Sequence, residues 1–403
     1  MNVARPLSLA VAIATVGTLP VFLVGALAVL IGTDLHLTAT QIGAAATAFY
    51  ATGAVSSVPA GRLGERWGGR RVSVIAGLLA VTSLVGLALA PAHFWFLLAL
   101  MSVGGLANAL AQTGANLLLS GGAAARSQGF AFGVKQSAVP LATMLGGIAI
   151  PVFGLTVGWR ASFALFGALA LLVSVLQLLD GVGQGHQEPQ LRSGPGPRGL
   201  GERRFLLFAV AAGLAGAATN SMAAFLVTWS VEVGLSMGRA GTLMAVASVL
   251  AVCARVVSGV MADRRGGQHV LVVAIHITGG AVGMFLLSLG VAPLVVVGAL
   301  MAYAIGWSWP GLLLMAAARL NPGAPGRSMS MIQTGAFTGG MSGPILFGLA
   351  TDAWGGPIAW RLAGLSMAVS VTVLLYTRHA WRRRVARGAE EGPGLPGLAA
   401  DAN

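Results

Sequence analysis

The sequence predicts an all-α membrane protein: twelve transmembrane helices in two pseudo-symmetric six-helix bundles. Three observations carry that expectation. The chain is 56% hydrophobic and only 9% charged, with a mean hydropathy of +0.83, whereas soluble domains carry roughly 25% charged residues. It contains twelve apolar runs long enough to cross a bilayer, which takes about 20 residues. A short charged motif occurs twice, 198 positions apart, at Gly61 and Gly259. The runs must be helices. Only helices and closed barrels satisfy the backbone in lipid, and these runs lack the polar–apolar alternation of barrel strands.

The first run, 8–32, follows Arg5. A secretory leader has an apolar core of about 7–15 residues, so this longer run reads as an uncleaved first helix. The second and third, 40–61 and 70–90, flank the first motif copy, Gly61-Arg62-Leu63-Gly64-Glu65-Arg66-Trp67-Gly68-Gly69-Arg70-Arg71. The fourth, 94–119, carries Asn108, Gln112 and Asn116 at i, i+4 and i+8, a polar stripe on an otherwise apolar helix. The fifth, 129–153, carries Gln136 and Lys135, the only lysine; the sixth, 159–180, opens on Trp159-Arg160. Residues 181–204 are rich in Gly, Pro and Arg and read as a flexible linker.

The seventh run, 205–230, bears Asn220. The eighth, 240–262, bears Arg255 and leads into the second copy, Gly259-Val260-Met261-Ala262-Asp263-Arg264-Arg265-Gly266-Gly267. The ninth, 269–290, contains His276, read as a buried structural histidine. The tenth, 292–316, places Tyr303 and Trp307 four apart ahead of an expected kink at Pro310-Gly311. Gln333 lies in the eleventh, 327–350, and Trp360-Arg361 in the twelfth, 357–379. Trp95, Trp159, Trp360 and Trp381 fall at run ends and read as interfacial anchors. The chain thus divides into bundles at 1–180 and 205–380, the linker, and a Gly/Pro-rich tail at 381–403 that reads as disordered.

Both motif copies have Gly, a carboxylate four residues later, Arg, and then a Gly pair. The repeat extends further. Gly43 and Gly241 keep the offset of 198, Gln136-Ser137 and Gln333-Thr334 match at 197, and Trp159-Arg160 and Trp360-Arg361 match at 201. A period this long means duplication of a whole bundle. Six spans per unit is an even number, so the halves share one orientation about an axis along the membrane normal.

The net charge of +13 comes from arginines in short loops between apolar runs, which excludes a nucleic-acid surface. On one side only Arg160, Arg239 and Arg361 occur; the rest of the loop arginines lie on the other. The positive-inside rule then puts both termini in the cytoplasm of a multi-pass protein of the plasma (cell inner) membrane. A single Cys253 leaves no internal disulfide. No metal-spaced cluster, phosphate loop or catalytic triad is present, so neither an enzyme nor a cofactor is expected. The expected partners are a small-molecule substrate and the lipid bilayer, with the protein a monomer.

Every carboxylate lies in a loop, tail or run end, yet Lys135 and Arg255 fall within runs. A cation at the bilayer centre costs about 2.5–3.5 kcal/mol on insertion scales and marks function by default. Each has a structural reading, snorkelled or paired with a loop carboxylate, and a functional one. Neither has a charged symmetry mate: Ser57 corresponds to Arg255 and Ile332 to Lys135. Asymmetric charge on a symmetric scaffold suits substrate binding. Two cations without a core carboxylate favour an anion.

The twelve runs, the central linker and the paired motifs between runs two and three and runs eight and nine resemble the major facilitator superfamily. That resemblance implies a transporter fold and a gating role for Gly61, Glu65, Arg66, Gly259, Asp263 and Arg264. Glu65 and Asp263 would face the N-termini of helices eleven and five, where a carboxylate gains roughly 0.3–1 kcal/mol. It also implies that helices four, five and eight border a central cavity, so that Lys135, Arg255, Asn108, Gln112, Asn116, Gln136, Tyr303 and Gln333 are substrate-binding candidates. An Arg on helix eight just ahead of the motif Gly resembles the substrate arginine of monocarboxylate-type facilitators; nitrate-type facilitators use a second arginine where Ser57 stands.

The leading expectation is therefore a transporter, secondary active or facilitative, of a small anion working by alternating access. The alternative is proton-coupled efflux of drugs or hydrophobic compounds. That group often carries Gly-Pro-x-x-Gly-Gly on helix five, where Gly146-Gly147 is preceded here by Ala142-Thr143. A non-transporting membrane sensor is the second alternative.

Overall fold

The computed structural model describes residues 4–89, 93–120, 133–180, 201–264, 268–321 and 325–390; side chains are described except at 4, 119–120, 201–204, 263, 325–326 and 382–390. All secondary structure among the described residues is helical. Ten helices are long and apolar enough to cross a membrane by length and composition. They account for eleven of the expected spans, because Ala39–Leu89 bends back at Gly68, whose φ of 79° leaves the helical region. The twelfth, Pro325–Trp354, is a full-length helix whose Ser, Thr, Gln and Gly content keeps it out of the apolar set.

In chain order the spans are α1 (Ala4–Ala26, continued after a break at Leu27 by Ala28–Leu35), α2 (39–67), α3 (69–89), α4 (Phe94–Ser120), α5 (Gly133–Gly154) and α6 (Trp159–Leu179). The second half comprises α7 (Gly201–Glu232), α8 (Met237–Arg264), α9 (His269–Leu287), α10 (Ala292–Leu320), α11 (Pro325–Trp354) and α12 (Gly356–Glu390). Two boundaries differ from expectation. The final residues of the expected linker, 201–204, already belong to α7, and α12 runs through Glu390 into the expected tail. Residues 181–200 and 391–403 lie outside the described residues.

Small residues bring these helices together, as they must where lipid gives no hydrophobic drive for helix association. A Cβ added at Gly105 would lie 2.1 Å from the Phe49 carbonyl oxygen, fixing α4 on α2; one at Gly335 would lie 2.0 Å from the Ala209 carbonyl oxygen, fixing α11 on α7. The outermost helices turn bulky apolar side chains outward, as on α6 at Leu172, Val175 and Leu179. Trp360 is not at an interface: it is fully buried, edge-on to Phe347 with centroids 4.8 Å apart, one turn inside α12. Trp95, by contrast, is 66% exposed.

Contacts between the halves follow the repeat. The main ones pair α2 with α11, α5 with α8, and α1 with α7. The sequence offset carries α2 onto α8 and α5 onto α11, so these pairs exchange under a two-fold axis. On the face opposite the charged motifs all three pairs are sealed by glycine. A Cβ at Gly43 would be 2.3 Å from the Pro344 carbonyl oxygen, one at Gly25 2.6 Å from that of Ala223, and one at Gly147 2.6 Å from that of Gly241. On the motif face the pairs part company. α5 still touches α8 there, since a Cβ at Gly133 would lie 2.9 Å from the Arg255 carbonyl oxygen, but a Cβ at Gly61 on α2 would meet nothing within 4 Å.

Candidate functional site

Arg255 is held by backbone. Pro140 has no N–H, so the Gln136 carbonyl four residues earlier loses its helical donor. In α10 a π segment, Ala302–Gly306, gives way at Trp307-Ser308 before helix resumes at Trp309 with Pro310 in its first turn. Arg255 on α8 reaches both places. Its Nε and Nη2 donate to the Trp307 carbonyl at 3.1 and 2.7 Å, and its Nη1 donates to the Gln136 carbonyl. The guanidinium also lies over the Trp307 ring, 5.4 Å from a centroid. Only 4% of Arg255 is exposed. One side chain thus ties α5 of the first half to α8 and α10 of the second.

The contacts use three of the five guanidinium N–H donors, and none of the partners is a carboxylate. Ion pairs occur instead at helix ends, Arg5 with Asp180 at 3.1 Å and Arg160 with Asp34 at 3.7 Å. Gly133, Gln136, Ser258, Ser308, Gly311 and Met315 enclose a small pocket against Arg255. Lys135 is adjacent to Gln136, partly buried, and makes no hydrogen bond or ion pair with a described residue. The Gln136 carbonyl and the Gly133 contact place Arg255 in the α5–α8 seam, with Lys135 the residue before Gln136 on α5.

The other candidates separate. Asn108 is 3% exposed, packed by Gly17 of α1 and Gly53 of α2, and accepts from Gln112 Nε2 at 3.4 Å. Gln112 is partly buried and Asn116 exposed, so the stripe on α4 runs from packed interior to open mouth. Gln333 on α11 is exposed beside Thr334 and Thr338. The hydroxyls of Thr334, Thr338 and Ser342 each donate at 2.9 Å to the carbonyl four residues back. Gln136 packs its side chain on Gly311. Tyr303 is fully buried; its ring stands edge-on to Trp307 at 5.4 Å, and Trp307 meets Phe22 of α1 at 5.9 Å. The Tyr303 hydroxyl has no hydrogen-bond partner among the described residues. His276 is partly buried on α9, away from this seam.

Further polar contacts between the halves, among them three between uncharged residues, escaped the sequence reading. Tyr50 donates to Asn220 Oδ1 at 2.5 Å, Thr143 and Ser248 share a hydrogen bond of 2.7 Å, and Thr47 donates to the Met341 carbonyl at 2.6 Å. Asn220 was conspicuous as a polar residue, but its partner sits across the molecule and leaves no local signal.

The motif residues divide by task. Gly64 and Gly69 pack on Leu117 of α4, and Arg70 donates to the Gln177 carbonyl at 3.0 Å and to that of Leu178, capping the end of α6. Glu65, Arg66 and Arg264 are exposed, Gly259 lies against Gly133, and the side chain of Asp263 is outside the described ones. Among the described residues, Glu65 lies one turn beyond Gly61, where a Cβ would meet nothing within 4 Å.

No curated protein matches the chain. The family model described as Major Facilitator Superfamily matches residues 8–292 and again 208–397. With its twelve all-α spans, its two bundles and a match that runs through both, the chain belongs to the Major Facilitator Superfamily of membrane transporters.

Proposed function

We propose that the protein carries a small anion, an organic or inorganic acid, across the plasma membrane by alternating access, with both termini cytoplasmic. One observation carries this reading. Two cations lie inside spans and Arg255 has no carboxylate partner, so compensation of its charge is left to a ligand. In a low-dielectric seam that attraction is strong, and two unused guanidinium donors supply direction to it. Lys135, partly buried and unpaired among described residues, adds a second positive charge from α5. The amides of Gln136, Gln112, Asn116 and Gln333, with Asn108 behind them and Tyr303 above the Trp307 ring, provide selectivity.

With cytoplasmic termini the motif face is the inner one, and the conformation is inward-facing. Rocking of the halves then closes Gly61 and Glu65 onto α11 and parts Gly43 from Pro344. The test is uptake into proteoliposomes of a panel of carboxylates, phosphate and nitrate. At least one anion is expected to be carried, with Lys135→Ala and Arg255→Ala each lowering its rate tenfold or more, since a tenfold change is about 1.4 kcal/mol and a hydrogen bond to a charged group contributes about 1.5–3 kcal/mol. Normal rates in both variants defeat the site assignment. Drug extrusion by the wild type, with no anion carried, replaces it with the efflux alternative.

A further inference from the structure

The start of α2 is capped twice, from two halves of the molecule. Thr38 and Gln41 form a capping box: the Thr38 N–H donates to Gln41 Oε1 at 3.0 Å and the Gln41 N–H to Thr38 Oγ1 at 3.2 Å. That local pair leaves the two N–H groups between them, those of Ala39 and Thr40, without partners of their own. Both are taken by one carboxylate from the far end of α11. Asp352 accepts from the Ala39 N–H at 3.2 Å, from the Thr40 N–H at 2.8 Å and from Thr40 Oγ1 at 2.6 Å.

The bond set sits beside the tightest packing between the halves. A Cβ at Gly348, one turn before Asp352, would lie 2.5 Å from the Ala39 carbonyl oxygen, and further down the same seam Thr47 donates to the Met341 carbonyl. The contact is therefore made only when α2 and α11 are closed against each other on the face opposite the motifs. We propose that Asp352 is a latch on this face, holding the two halves closed by capping α2 in trans and releasing when the face opens. Thr40 is its receiver, and the Thr38–Gln41 box keeps α2 intact when the latch is free. This rests on the alternating-access reading above.

Spin labels at Thr156→Cys and Ser236→Cys, in a Cys253→Ser background, read this face directly. Both positions are exposed, and they flank the close approach of Leu155 to Gly238 across the halves. In full-length protein in nanodiscs, Asp352→Ala is expected to raise the open-to-closed ratio about two- to fivefold, the factor corresponding to a carboxylate at a helix N-terminus. Thr40→Val, which keeps the fold and removes only the hydroxyl, is expected to move the ratio in the same direction by less. A wild type that samples two distances, with populations unchanged by either variant, overturns the latch and leaves alternation standing. A wild type fixed at one distance with every anion of the panel defeats alternation and the latch together.

Discussion

Arg255 stands between a carbonyl freed by Pro140 and another at the interruption of α10. Removing its head group leaves both acceptors unpaired in the protein interior, at about 1–3 kcal/mol each. Arg255→Ala is therefore expected to lower the thermal unfolding temperature as well as transport. Pro140→Ala gives Gln136 back a helical donor, so the two substitutions should couple: in a double-mutant cycle the loss on Arg255→Ala is expected to be smaller by about 1 kcal/mol in the Pro140→Ala background. That a cation occupies a span was legible in the sequence, and so was a proline four residues after Gln136. Their meeting was not, because 119 residues separate Gln136 from Arg255 and nothing local reports such a distance. Lys135 gave the same sequence signal as Arg255, yet Arg255 serves the backbone and Lys135 has no such bond.

At the level of helices, glycine decides which ends close. Gly43→Ala puts a methyl group into the Pro344 carbonyl, and overpacking of this kind typically costs 1–3 kcal/mol. Gly61→Ala meets open space in this conformation. The pair should therefore act in opposite directions on the label distances above: Gly43→Ala toward opening of the face opposite the motifs, Gly61→Ala toward keeping it shut. Both glycines were prominent in the sequence as members of the repeat, but their opposite environments depend on the conformation and cannot be read from a symmetric pattern. Trp360 makes the same point. Its place near a run end suggested an interfacial ring, whereas the ring turns inward and packs against Phe347 of α11. Trp360→Ala is expected to cost about 3–5 kcal/mol in thermal unfolding, and Trp95→Ala, at an exposed position, little.

For the molecule as a whole, twelve spans, their order and the duplication were all visible in the sequence, since hydropathy and repeat spacing are properties of the chain itself. The contacts that join the halves were hidden because they exist only between distant segments. The acid dependence of the closed face belongs at this scale. Asp352 lies past the end of the eleventh apolar run and is exposed. Partial burial pushes its carboxyl up, but the hydrogen bonds from Thr40 and Ala39 outweigh that and hold it below the ordinary carboxylate range. A carboxyl depressed in the closed state stabilises that state at any pH above its ordinary value of about 3.9, and the contribution fades only as pH falls through the depressed value. The open-to-closed ratio is therefore expected to stay constant between about pH 6 and 8 as far as Asp352 is concerned.

The row of threonine and serine on α11 has a consequence for whatever enters the open mouth. Each of those hydroxyls has committed its proton to its own helix, so it offers a passing solute only lone pairs. A negatively charged guest finds no hydroxyl donor along such a wall, only the amide of Gln333. The lining repels it mildly and leaves the positively charged seam as the place to stop.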